Sequence, residues 1–172
     1  MSENIKPAVS IIMGSTSDLP IVKKAADFLE QMEVPFELRA LSAHRTPDAV
    51  ADYAKAAAHN GTKVIIAAAG MAAALPGVVA SMTNLPVIGL PIASTLDGVD
   101  ALYSISMMPP GIPTATAGIN AGLNAGVLAV RILALADEGL AQRYAQYVDS
   151  LKNKIEKADA ELRAVSDYKF KV

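Results

Sequence analysis

Val9-Ser10-Ile11-Ile12-Met13-Gly14-Ser15-Thr16-Ser17-Asp18 passes from an apolar run into five small or polar residues, after which Ile21, Ala25, Phe28 and Met32 recur at helical spacing. Strand, loop and helix are expected in that order. Asp18 stands where an N-cap belongs, and Pro20 falls in the first helical turn, where a missing backbone N–H costs little.

The same unit recurs along the chain. A second strand is expected at residues 36–41; it leads through Ser42-Ala43-His44-Arg45-Thr46-Pro47 into a helix whose Val50, Tyr53, Ala54 and Ala57 share one face, and Asn60-Gly61 should close that helix. Lys63-Val64-Ile65-Ile66-Ala67-Ala68-Ala69 reads as a strand buried on both faces, followed by a loop of small residues and a short helix at 75–82. Shorter strands are expected at 86–90 and 114–117, the last feeding an Ala-rich helix from Asn120 to about Asp137. Such alternation implies an α/β fold, a parallel sheet with helices on both faces. Only Arg131 is charged among the first seventeen residues of the Asn120 helix, so burial is expected there, within the subunit or between subunits. Tyr144, Val148, Leu151, Ile155, Ala158 and Leu162 alternate spacings of four and three. That narrow seam suits a helical arm at about 139–165 laid on a neighbouring subunit, or equally a terminal helix on its own domain.

The 172 residues show no composition break and are expected to form a single domain over 1–172. A net charge of −2 without a long basic run argues against nucleic acid as a partner. With no cysteine, disulfides and thiolate ligands are excluded, and the first residues lack the apolar segment of a secretory signal, so the cytoplasm is the expected compartment. Residues 64–82 are uncharged, but Pro76-Gly77 interrupts them, and a buried strand, loop and helix explains them better than a membrane span.

Chemistry concentrates in two loops. The Gly14–Asp18 loop offers backbone N–H groups, the hydroxyls of Ser15 and Ser17 and a helix N-terminus, a set suited to phosphate, while the Asp18 carboxylate can accept from ribose hydroxyls. It is neither a Walker loop nor a GxGxxG fingerprint. In a parallel sheet the first two strands end at one edge, so this loop and the histidine loop should face a shared crevice. There His44 can take and return a proton near neutral pH, Arg45 can clamp a phosphate with a permanent charge, and Ser42 can orient the imidazole or the ligand. His59, at the end of a helix, is given no role. The Gly70–Gly77 loop carries no acid or base and would form a dry wall. No metal-ligand spacing and no G-x-S-x-G elbow is present, so neither a metal nor an acyl-enzyme has support.

Met13 through Asp18, Ser42 through Pro47, Ala69-Gly70 with Leu75-Pro76-Gly77, and Asp100 through Ser104 with Met108-Pro109 and Gly111-Ile112-Pro113 together resemble the purine-biosynthetic PurE family, collinearly from about Val9 to Leu135. Arg45 after the histidine resembles the mutase type; the direct aminoimidazole ribonucleotide carboxylases often have lysine there. The resemblance implies a flavodoxin-like three-layer sandwich with a central parallel sheet and a long C-terminal helix. It further implies a homo-oligomer, usually an octamer, with sites near subunit boundaries. The implied reaction converts 5-(carboxyamino)imidazole ribonucleotide to 4-carboxy-5-aminoimidazole ribonucleotide without cofactor, ATP, metal or biotin, on a substrate made by an ATP-dependent synthetase. Carried over by motif, Ser15, Ser17 and Arg45 would hold the 5′-phosphate, Asp18 the ribose hydroxyls, and His44 would be general acid and base. Ala74 departs from the pattern, since many relatives have a histidine before Leu-Pro-Gly. Direct carboxylation and a non-catalytic nucleotide-binding module are the competing readings; His44 weighs against the second.

Overall fold

The computed structural model of the protein describes residues 5–172. Five strands, β1 (Val9–Met13), β2 (Phe36–Ala40), β3 (Val64–Gly70), β4 (Val87–Ile92) and β5 (Ala115–Thr116), pair in the order β2-β1-β3-β4-β5, every neighbouring pair parallel. Six helices separate and follow them: α1 (Leu19–Gln31), α2 (Pro47–Ala56), α3 (Ala74–Ala80), α4 (Val99–Ser106), α5 (Gly122–Leu133) and α6 (Glu138–Ala164). This is the flavodoxin-like order, with a reversal of winding between β1 and β3.

Alternation along the strands sorts the core into two layers. Ile11 and Met13 point with Ile66 and Ala68 into a cluster completed by α1, α5 and Leu140 of α6, whereas Ile12, Ile65 and Ala67 point into one completed by α2, α3 and α4. Both β1 and β3 are therefore buried on both faces and apolar but for Ser10, as expected of central parallel strands. Removing a fully buried isoleucine side chain such as Ile66 from either layer costs about 2–5 kcal/mol. β2, at the margin, is half-buried to exposed and carries Glu37 and Arg39. Glu37 Oε1 accepts from Ser10 Oγ of β1 and from the Tyr53 hydroxyl of α2, both at 2.8 Å, which ties the edge strand to its neighbours.

Local chemistry explains the boundaries. After α2 the chain turns through Gly61 in the left-handed region, φ +105°, with Thr62 N–H donating to the Ala57 carbonyl and Gly61 N–H to that of Ala58. This is the Schellman closure that Asn60-Gly61 foretold. α1 starts differently from expectation. Asp18 occupies the N-cap position, but its side chain makes no capping bond, because Thr16–Asp18 form a 3-10 turn that Ser15 caps by accepting from Ser17 N–H at 3.3 Å. The helix expected from Asn120 to about Asp137 is shorter: α5 runs from Gly122 to Leu133, and Asp137 instead caps α6 by accepting from Leu140 N–H at 2.9 Å. α4 was not foreseen as a helix.

α5 lies against α1 at glycine. A Cβ on Gly122 would stand 2.1 Å from the Ile21 carbonyl oxygen, so the two backbones touch where no side chain fits. The first half of α6 is anchored by Leu140, by Tyr147 edge-on to Phe28 with ring centres 4.8 Å apart, and by Arg143 Nε donating to the Met32 carbonyl at 3.0 Å. Residues 149–164 are exposed, including Leu151, Ile155 and Leu162 of the seam. Among the described residues no helix is long and apolar enough to cross a membrane.

Candidate active site

At the carboxyl edge of the sheet the loops after β1, β2, β3 and β4 enclose a crevice of about 800 Å³ at the winding reversal. Its polar wall is formed by Ser15, Ser17 and Asp18 from the first loop and by Ser42, His44 and Arg45 from the second. All six side chains singled out in the sequence therefore meet at one opening.

The second loop is a compact turn closed on itself. Thr46 Oγ1 accepts from Ser42 N–H at 3.0 Å and donates to the Ser42 carbonyl at 3.1 Å, which prepares Pro47 to open α2. Ser42 Oγ accepts from the backbone N–H of Arg45 at 3.2 Å and from its Nε at 3.3 Å, so it orients the guanidinium rather than the imidazole. Arg45 Nη2 reaches across to the Gly14 carbonyl. His44 stands exposed between these anchored neighbours and faces the crevice.

In the first loop Ser17 Oγ donates to Ser15 Oγ at 2.8 Å and lies 3.2 Å from Asp18 Oδ1. Burial raises the pKa of the Asp18 carboxyl from its ordinary value, against the opposing pull of Ser17, the Ser15 backbone and the Arg45 charge. A partly desolvated carboxylate that lines the crevice is suited to accept from a ligand's hydroxyls. Two serine hydroxyls, turn amides and one guanidinium beside it make an environment for an anion.

The opposite wall is apolar. Residues 69–75 and Ile92-Ala93 line it, with Ala74 at the start of α3 and Met71 and Ala73 in the left-handed region at φ +55° and +38°. The dry wall expected of the Gly70–Gly77 loop is present along residues 70–75. The loop after β4, including Ser94, was not foreseen as part of the site. Asn120 braces it: Oδ1 accepts from Ala93 N–H at 2.9 Å, while Asn120 N–H donates to the Pro91 carbonyl at 2.9 Å. The rule that parallel strands all end at one edge could have found this loop once β4 was assigned. Among the described residues no group of three or more His, Asp or Glu side chains is placed to hold a metal ion.

The family profile described as AIR carboxylase matches residues 8–154. The chain belongs to the AIR carboxylase family. Among members of that family, N5-carboxyaminoimidazole ribonucleotide mutase of Thermotoga maritima is 51% identical over 150 residues, covering 87% of this chain and 88% of that one. Phosphoribosylaminoimidazole carboxylase of Schizosaccharomyces pombe is 55% identical over 155 residues, covering 89% of this chain. The chain spans only 28% of that fungal protein's length, and 29% of its counterpart from Candida glabrata. In three dimensions the crystal structure of Treponema denticola PurE superposes with a TM-score of 0.83 at 33% identity, covering 91% of this chain and 99% of the other. The AIR carboxylase family thus includes relatives named for two related reactions.

Proposed function

We propose that the protein is an isomerase of purine biosynthesis that converts 5-(carboxyamino)imidazole ribonucleotide to 4-carboxy-5-aminoimidazole ribonucleotide. The observation that carries this reading is the convergence of His44, Arg45 and the Gly14–Asp18 loop on one crevice with an apolar far wall. In this reading Ser15, Ser17 and Arg45 hold the 5′-phosphate, Asp18 accepts from the ribose hydroxyls, and Ser42 keeps Arg45 in position. His44 protonates the exocyclic nitrogen of the carbamate, the N–C bond breaks, and carbon dioxide is released beside the ring. The ring carbon attacks it, and the same imidazole removes the proton from the newly carboxylated carbon, so one residue serves both halves. Retention of the small neutral molecule by the apolar wall supplies the advantage of proximity. No cofactor takes part in this scheme.

The test is incubation of the carbamate, labelled in its carboxylate, without bicarbonate, ATP or metal. The proposal expects direct conversion with most of the label retained. Efficient use of aminoimidazole ribonucleotide and carbon dioxide, with the carbamate decaying only spontaneously, selects direct carboxylation, the reading favoured by the names of the fungal relatives. Tight ribonucleotide binding without turnover of either compound selects a non-catalytic nucleotide-binding module.

The proposal includes a single domain over 1–172 with the C-terminal arm, assembly into a homo-octamer, a cytoplasmic location and functional coupling to an ATP-dependent synthetase that makes the unstable carbamate. Exposed Leu135, Leu151, Ile155 and Leu162 support the assembly, because they stand on the outside of the subunit and the last three belong to the seam of α6. Light scattering checks the octamer. Removal of residues 150–172 spares Leu140, Arg143 and Tyr147 and checks the arm: assembly should weaken while the subunit still folds.

A further inference from the structure

Met71 is costly where it stands on two counts. Its backbone is left-handed at φ +55°, a region that disfavours side chains and that glycine enters freely, and 56% of its surface is exposed, although the residue is large and apolar. It belongs to neither core layer. Within the subunit, neither packing nor backbone preference accounts for a methionine at this point.

The surroundings suggest what does. Met71 lines the crevice in the loop after β3, on the apolar wall opposite Arg45 and Asp18. Its companions there cannot move onto an occupant: Ala72, Ala73 and Ala74 are too short, while Leu75 and Ile92 are buried at 3% and 7% exposure. Met71 is thus the one long apolar side chain of the wall that is still free to change rotamer. An unbranched thioether adapts its shape and makes favourable sulfur contacts with aromatic rings.

We infer that Met71 is a specificity-determining residue that folds over the heteroaromatic base of the bound ribonucleotide, taking no part in holding its phosphoribosyl end. This rests on the ribonucleotide reading above and adds to it the group that recognises the base. The division of labour follows the two walls: the polar wall reads phosphate and ribose, and Met71 covers the flat ring from the other side.

Calorimetric titration of wild type, Met71→Gly and Met71→Leu with aminoimidazole ribonucleotide and, separately, with ribose 5-phosphate tests the inference. Met71→Gly should weaken the ribonucleotide about three- to tenfold and leave ribose 5-phosphate unchanged, while Met71→Leu, which keeps the apolar reach but lacks the sulfur, should restore only part of the loss. The thermal midpoint of Met71→Gly should not fall, since glycine relieves the backbone, and that separates a lost ligand contact from a damaged fold. Equal affinities in wild type and Met71→Gly, or equal losses for both ligands, would overturn the role of Met71 alone. Wild-type protein that binds neither ligand would overturn the ribonucleotide reading and this inference with it.

Discussion

Arg45 Nη2 donates to the carbonyl oxygen of Gly14 at 2.6 Å, bridging the loops after β1 and β2. Ser42 Oγ holds the same side chain at Nε, so the guanidinium is fixed at two points before any ligand arrives. Its remaining donors belong to the same crevice lining as the hydroxyls of Ser15 and Ser17, and the side chain is ordered in advance.

Arg45→Ala should therefore weaken a phosphate-bearing ribonucleotide by about 1.5–3 kcal/mol, the range for hydrogen bonds to charged groups, or roughly ten- to a hundredfold. The corresponding nucleoside, which lacks the phosphate, should bind the variant and the wild type alike. Calorimetry with both ligands checks the assignment, and equal losses would contradict it.

His44→Asn should abolish turnover and leave ribonucleotide affinity within about tenfold, because the amide keeps a polar group of similar reach but cannot shuttle a proton at neutral pH. Single-turnover measurement with the carbamate separates the two effects. Near-normal turnover removes His44 from the mechanism.

Asp18 links binding to pH. Since burial raises its pKa, the ionised form is a burden on the folded state near neutral pH, and that burden is relieved as pH falls through the raised value. Ligand hydroxyls donate more strongly to the ionised form, so ribonucleotide affinity should fall as the solution is acidified through the raised pKa of Asp18. Asp18→Asn should bind weakly with a flattened pH dependence, and should unfold no more easily than wild type at neutral pH. Titrations across mildly acidic buffers, with parallel denaturation curves, measure both.

Two glycines should respond to alanine with opposite signs. Gly122→Ala drives a methyl group into the Ile21 carbonyl and should destabilise by about 1–3 kcal/mol as α5 moves off α1. Gly139→Ala, on an exposed turn of α6 where the new Cβ would meet nothing nearer than 3.4 Å, should stabilise by up to about 1 kcal/mol. Urea denaturation of the two variants decides.

The parts of the fold legible in the sequence are those where one force dominates. β1 and β3 are buried on both faces, and their apolar runs say so without help from context. α4 escaped because Val99 and Tyr103 are exposed on it while Ala101 and Ile105 are buried, so its apolar residues mark no single face. The two-residue β5 is a strand only because β4 lies beside it. In the site, the six polar residues were legible because strand order brings their loops together. The capping role of Ser15 in place of Asp18 was hidden, since a 3-10 turn and a direct helix start share the same residue types. Asn120 was hidden too, because its bond to Ala93 spans two loops distant in sequence.

The all-parallel ladder also governs how the chain reaches its native state. Among the described residues no pair of strands forms a hairpin, and the pairing nearest in sequence, Ile65 with Val87, already requires α3 to be bridged, while Val9 must find Val64 across α1, β2 and α2. Loop-closure entropy is thus spent before any strand contact returns it, which makes folding slow compared with a hairpin-built sheet of equal size. Until then the apolar segments of β1 and β3 stand unpaired in the nascent polypeptide, and self-association competes with the first correct ladder. Synthesis of this protein is consequently most vulnerable after β3 has emerged and before β4 has joined it.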